Sequence, residues 1–381
     1  MTKNELKVPL FVPWISKKDK DAVIASLKNP QLTDGEILRR FETELAGFVG
    51  SRYAVGVSNG TTALHLALIS SGIGSGDEVI IPDMTFVATA NAVFLSNAKP
   101  ICVDIDDSLN ISTQSIRKNI TRRTKGIIPV HFAGYPCNMD EICKIAKEHD
   151  LKIIEDCAHS LGLHYKNKHV GTFGVAGCFS FYPTKNITTI EGGMIVTNSR
   201  SIADKVRALR NHGLTRTLIQ RNKGTKPWIY DIREPGYNYR LDEVRSSLGL
   251  SQLRRFDEIN SRRIKAAEYY NQKLNHVKGI EIVNYGDRKN HVYHLYIIKI
   301  KREFGMSRDL IHKILFKKGI RTTVHYKPIH QFSYIKKTKN SEYRFQKCIL
   351  SYKECLTLPL FPTITRKQQD YVIRNLIKLC K

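Results

Sequence analysis

Seven short apolar runs, spaced by stretches with helical patterning, occupy the first half of this chain and restrict its fold more than any other feature. They are Tyr53-Ala54-Val55-Gly56-Val57, Glu78-Val79-Ile80-Ile81, Pro100-Ile101-Cys102-Val103-Asp104, Gly126-Ile127-Ile128-Pro129-Val130, Lys152-Ile153-Ile154-Glu155, Gly177-Cys178-Phe179-Ser180 and Gly193-Met194-Ile195-Val196. Near-continuous apolar strands, rather than alternating ones, belong in a mainly parallel sheet covered on both faces by helices. The expected class is therefore α/β. Further helical patterning runs from Ala203 to Asn211 and from Leu241 to Phe256, after which long basic helices and a few alternating strands such as Val292–Ile297 take over. This change of texture divides the chain into a large domain, residues 1–255, and a smaller C-terminal α+β domain, residues 256–381. A chain of 381 residues is long enough for both.

Composition narrows the function classes. The 61 Lys and Arg against 35 Asp and Glu leave a formal charge of +26, which raises nucleic-acid binding or a basic regulatory protein as a rival class. The basic residues are nonetheless dispersed, and no zinc-finger spacing, RNP-type aromatic strand or basic zipper accompanies them. A solvated basic surface, or attraction of a polyanionic small substrate, accounts for the charge equally well. The eight cysteines are scattered without a CxxC pair. They read as free thiols of a reducing cytoplasm, with neither a disulfide framework nor a metal site. No stretch approaches a membrane span, and Met1-Thr2-Lys3-Asn4-Glu5 lacks the apolar core of a signal peptide.

Two of the apolar runs end in chemistry. One continues as Ile153-Ile154-Glu155-Asp156-Cys157-Ala158-His159-Ser160, and another as Phe179-Ser180-Phe181-Tyr182-Pro183-Thr184-Lys185. A strand ending in aspartate beside a turn carrying lysine is what pyridoxal phosphate requires. The lysine binds the cofactor's aldehyde as a Schiff base, and the carboxylate pairs with the pyridinium nitrogen. A third element, Ser58-Asn59-Gly60-Thr61-Thr62 between a strand and the helical run Ala63–Ile69, is a natural phosphate turn. Helix N-termini offer free N–H groups and partial positive charge, and glycine admits close approach. By itself that turn is more often an ordinary cap.

With these runs in hand, the chain resembles the DegT/StrS family of pyridoxal-phosphate-dependent sugar aminotransferases, which are fold-type I enzymes. The resemblance rests on Ser58–Leu68, Pro82–Ala92, Glu155–Gly162, Phe179–Gly193, Gly236–Leu241 with Gly249–Leu253, Val324–Pro328 and Leu356–Pro362, in order along nearly the whole chain. It implies a large domain with a mainly parallel, mixed sheet. It implies further that Lys185 carries the cofactor and moves the proton, that Asp156 faces the ring nitrogen, and that Phe86 stacks on the ring. His159 takes the position near the phenolic oxygen where other members often have Gln; a core histidine is the competing reading. Gly60, Thr61 and Ser180 hold the phosphate, joined by Asn238 from a second subunit, which makes the expected protein a homodimer with composite active sites. Thr33 and His325 border the substrate.

The implied reaction moves an amino group from glutamate to a nucleotide-linked keto-deoxysugar, in the first instance a UDP-linked 4-keto-6-deoxy sugar, for amino-sugar and glycan synthesis in the cytoplasm. Amination of a cyclitol or another secondary-metabolite precursor is the alternative. The dehydratase branch of the family replaces the lysine with histidine, so Lys185 argues against it. Two departures from the family pattern bear on the substrate. Ile190 stands where a glycine usually precedes Glu191, and Gln31–Gly35 is an uncommon form of its loop.

Overall fold

The computed structural model describes residues 7–214, 226, 228–232, 234–283, 291–336 and 345–380. The main sheet has seven strands: β1 (Tyr53–Val57), β2 (Glu78–Pro82), β3 (Lys99–Val103), β4 (Thr124–Ile127), β5 (Lys152–Asp156), β8 (Ala176–Ser180) and β9 (Gly193–Thr197), in the order β1-β9-β8-β5-β4-β2-β3. The two-residue strands β6 (His164–Tyr165) and β7 (Lys168–His169) form a separate hairpin between β5 and β8. Neighbours from β8 to β3 run parallel, whereas β9 pairs antiparallel with both β1 and β8. The sheet is thus mixed and mainly parallel, as its apolar runs require. All five residues of β2 and of β9 are buried.

β4 stops at Ile127 although the apolar run continues to Val130. Ile128 still donates to the Ile80 carbonyl, but Pro129 has no N–H to extend the ladder. The carbonyl of Pro129 instead accepts from Asp156, so the end of β5 is pinned where its side chain matters.

A second, three-stranded antiparallel sheet comprises β10 (Ile280–Ile282), β11 (Tyr296–Ile300) and β12 (Cys355–Leu358), with β11 in the middle. Helices Phe256–Leu274, Arg308–Lys317 and Arg366–Ile377 share one apolar core with it, built around Tyr270, Phe304, Ile298 and Leu356. The alternating run expected as a strand from Val292 enters the ladder only at Tyr296. Its first residues are held elsewhere: Val292 donates to the Gly134 carbonyl and Leu295 to that of Ala133. This detour brings His294 onto His159, just past the end of β5.

Helix Glu36–Val49 begins at Gly35, which has no side chain to cap it. The buried carboxylate of Glu243, from helix Glu243–Leu253, accepts from the backbone N–H groups of Gly35, Ile37 and Leu38 at 2.9–3.0 Å. A residue remote in sequence thereby does the work of an N-cap and places negative charge at the positive end of the helix. Among the described residues, no helix is long and apolar enough to cross a membrane.

Candidate active site

The carboxyl ends of β5 and β8, the start of helix Gly60–Ser70, and the segments around Phe86, His294 and His325 enclose a cavity of about 550 Å³. Clefts at the carboxyl ends of parallel strands are where open α/β sheets bind ligands. Lys185, Asp156, Gly60, Thr61, Phe86, His159, Ser180 and His325 all line it. Thr33 and Asn238 do not. Thr33 is bridged to Asp242, and Asn238 to Asn211, outside the cavity formed by their own chain.

Asp156 ends β5 with its carboxylate buried. Oδ2 accepts from the Thr89 hydroxyl at 2.9 Å and Oδ1 from the Ala158 N–H at 3.1 Å. Burial raises its pKa; those two hydrogen bonds and the nearby Lys185 pull it back towards the ionised form. Lys185 sits on a turn closed by its own N–H to the Tyr182 carbonyl. Desolvation lowers its amine to about 8, against the opposing attraction of Asp156. Among the described residues, no carboxylate comes within ion-pair distance of its Nζ.

His159 stacks on His294 with ring centroids 4.2 Å apart, and His294 stacks in turn on Phe11 at 6.4 Å. Its Nδ1 accepts from the Ala133 N–H at 3.4 Å, so the neutral ring carries its proton on Nε2, 3.3 Å from the Tyr326 hydroxyl. Burial drives His159 and His294 well below the usual histidine range and takes His325 to about 3, and the Lys185 charge adds to all three shifts. These imidazoles are neutral at physiological pH, so this part of the cavity wall is polar without being charged.

At the cavity's other end, Asn59 caps helix Gly60–Ser70, its side chain accepting from the Thr62 N–H at 2.9 Å. A Cβ on Gly60 would meet the Ser180 Cβ at 2.8 Å, and one on Gly193 would meet the Asn59 carbonyl oxygen at 2.3 Å. Both close approaches require glycine. They set the Ser180 side chain beside the open N–H groups of a helix end, an arrangement suited to an anion. An anion cradle, a buried carboxylate and an amine of lowered basicity lining one cavity fit pyridoxal phosphate.

This arrangement and the match of a family model over residues 13–377 decide the matter. The chain belongs to the DegT/DnrJ/EryC1/StrS aminotransferase family. It is 39% identical over 368 residues to an uncharacterized protein of Methanocaldococcus jannaschii, covering 95% of each chain. It is 36% identical over 378 residues to the spore coat polysaccharide biosynthesis protein SpsC of Bacillus subtilis, covering 97% of each. Its fold matches Helicobacter pylori PseC, an aminotransferase involved in the biosynthesis of pseudoaminic acid, with a TM-score of 0.92 at 30% identity, covering 98% of this chain and 99% of that one. The protein is accordingly a fold-type I, pyridoxal-phosphate-dependent aminotransferase.

His294 and Glu191 are among the lining residues that a reading of the sequence alone does not assign. A histidine inside the apolar run Val292–Ile297 was the available signal for the first. A second polar cluster, His131, Glu155 and Cys157, is engaged internally. Glu155 accepts from the N–H groups of Gly171, Phe173 and Gly174, and His131 Nδ1 accepts from that of Cys137.

Proposed function

We propose that this aminotransferase transfers an amino group from glutamate to a nucleotide-linked keto-deoxysugar, with a UDP-linked 4-keto-6-deoxy sugar as the acceptor, in the synthesis of an amino sugar. The observation that carries the proposal is the single cavity that Lys185 and Asp156 share with the neutral wall of His159, His294, His325 and Tyr326. Its volume of about 550 Å³ leaves room for a sugar beside a cofactor. The roles of SpsC in spore coat polysaccharide biosynthesis and of PseC in pseudoaminic acid biosynthesis support a sugar substrate.

Lys185 Nζ would hold the cofactor, with Asp156 serving its ring nitrogen, Phe86 its ring face and His159 its phenolic oxygen, while Gly60, Thr61 and Ser180 would take the phosphate. The bound cofactor supplies an electron sink for the substrate carbon. Lys185, lowered to about 8, is poised near neutral pH to take a proton from the donor carbon and return one to a single face of the acceptor carbon. His325, its Nδ1 tied to the Thr357 hydroxyl at 2.8 Å, presents its other ring edge to the sugar, whereas Thr33, outside the cavity of its own chain, has no contact here to support a place beside the nucleotide.

The working unit is a homodimer, with Asn238 of the partner subunit completing the phosphate site. Its absence from its own chain's cavity supports this reading. So does Ile190, next to the lining residue Glu191 and left at 61% exposure. The division into domains at residue 255 and a cytoplasmic location, in keeping with eight free cysteines, belong to the same proposal.

The test is a visible spectrum of the purified protein before and after glutamate, with Lys185→Ala alongside. The wild type is expected to be coloured and to bleach with glutamate, and a UDP-linked 4-keto sugar to restore the colour. Restoration by a keto-cyclitol alone would move the substrate to that class. A protein that never takes up colour from added cofactor would overturn the proposal.

A further inference from the structure

Behind the turn that carries Lys185 lies a fully buried cation. Arg263, on helix Phe256–Leu274, is 3% exposed, and no carboxylate lies within ion-pair distance of it among the described residues. Burial alone lowers its guanidinium to about 10. Its contacts are backbone carbonyls: Nη2 donates to those of Thr184 and Lys185, both at 3.5 Å, and Nη1 to that of Leu360 at 3.4 Å. Its Nε has no partner among the described residues.

A buried charge without a counter-ion is costly, and an apolar side chain of similar length at such a site is commonly neutral or stabilising. Packing therefore gives no reason for arginine here. The geometry does. One planar fork reaches the carbonyls of Thr184 and Lys185 and a third just past β12, so two distant segments converge on one group. Asn260, one turn earlier on the same face of the helix, repeats the contact: its Oδ1 accepts from Asn186 Nδ2 at 3.3 Å, and that amide also donates to the Val292 carbonyl at 3.1 Å. The residue after Lys185 is thus held by the same helix.

We infer that Arg263 is a positioning residue for Lys185: it fixes the peptide of the reactive lysine against the helix and the strand end of the C-terminal region, and so sets where Nζ stands in the cavity. This rests on the role proposed above for Lys185. Arg263 itself touches neither substrate nor cofactor.

The test compares Arg263→Met and Arg263→Lys with the wild type, each loaded with pyridoxal phosphate. Three quantities are read: thermal stability, the pH at which the visible cofactor band titrates, and the rate at which apoprotein takes up the cofactor. Steady-state kcat and KM are measured in parallel. The expected result for Arg263→Met is a fold as stable as the wild type with slower cofactor uptake and a displaced band titration. kcat falls by on the order of 100-fold, the effect of misplacing a reacting group by about 1 Å, with KM little changed. Arg263→Lys keeps the charge and one arm of the fork and is expected to lie between. If Arg263→Met fails to fold, the same readouts on Arg263→Lys decide.

A variant with wild-type band titration, uptake and kcat overturns the inference, as does a loss confined to stability. Failure of the underlying reading is distinguishable, because the wild-type protein would then show no lysine-dependent band.

Discussion

Replacing Lys185 by Met in the cofactor-free protein should stabilise it, by an amount that depends on pH in a defined way. In the fold the amine titrates near 8 instead of its ordinary 10.5. At ~1.4 kcal/mol per tenfold change in proton affinity, this corresponds to at most roughly 3 kcal/mol, an upper bound because the side chain borders an open cavity. The sign follows from proton counting. Between pH 8 and 10.5 the unfolded lysine still holds its proton while the folded one has released it, so wild-type stability rises with pH across that window. Below pH 8 both states are protonated, the cost is complete, and Lys185→Met shows its full advantage. The attraction of Asp156 opposes the shift and is already included in it. Urea unfolding of both apoproteins at intervals from pH 7 to 10.5, read at constant m-value, tests this. The gap should be widest at pH 7 and close towards pH 10.5. A gap that stays constant with pH, or a variant less stable at pH 7, would refute a desolvated lysine as the source of the lowered basicity.

Three further outcomes are expected. Glu243→Gln removes the charge that caps helix Glu36–Val49 from a distance and should cost roughly 2 kcal/mol in urea unfolding; a loss below about 0.5 kcal/mol would mean that Gly35 needs no cap. Gly193→Ala forces a methyl group against the Asn59 carbonyl, 2.3 Å from its Cβ, and should cost roughly 1–3 kcal/mol while slowing cofactor uptake; unchanged uptake would separate β9 from the phosphate cradle. Ile190→Asp places a charge on the surface proposed to meet the second subunit and should raise the dimer dissociation constant at least about tenfold in sedimentation equilibrium; an unaltered constant would put the interface elsewhere.

The sheet was legible because burial on both faces leaves an unbroken apolar signature, and each of the seven runs became a strand. Its ends were less legible. Pro129 cut β4 short through a missing donor, and the Val292–Leu295 detour depends on carbonyls of Ala133 and Gly134 that no local pattern announces. The same holds for the site. Lys185, Asp156 and Gly60 stand in runs whose local chemistry declares them, and the structure brings them to one cavity. His294 and Arg263 act through partners far along the chain, Arg263 on the backbone rather than on side chains, and periodicity carries no trace of such contacts. The glycine usual before Glu191 gains a physical sense: Ile190 has φ +69°, in the left-handed region that glycine adopts without strain and a β-branched side chain does not.

The cavity draws on segments far apart along the polypeptide. Phe11 and Tyr326 share its wall, and just before Phe11, Val8 pairs with Ile320 in a parallel bridge. On the ribosome, therefore, Lys185 and the turn at Gly60 emerge long before the pocket around them can close, because His325 and Tyr326 are the last of its walls to be translated. A nascent chain halted before residue 320 would carry the reactive lysine without an enclosure for it. Acquisition of the cofactor becomes a late, post-translational event, and a series of stalled chains should remain colourless until the C-terminal segment is released.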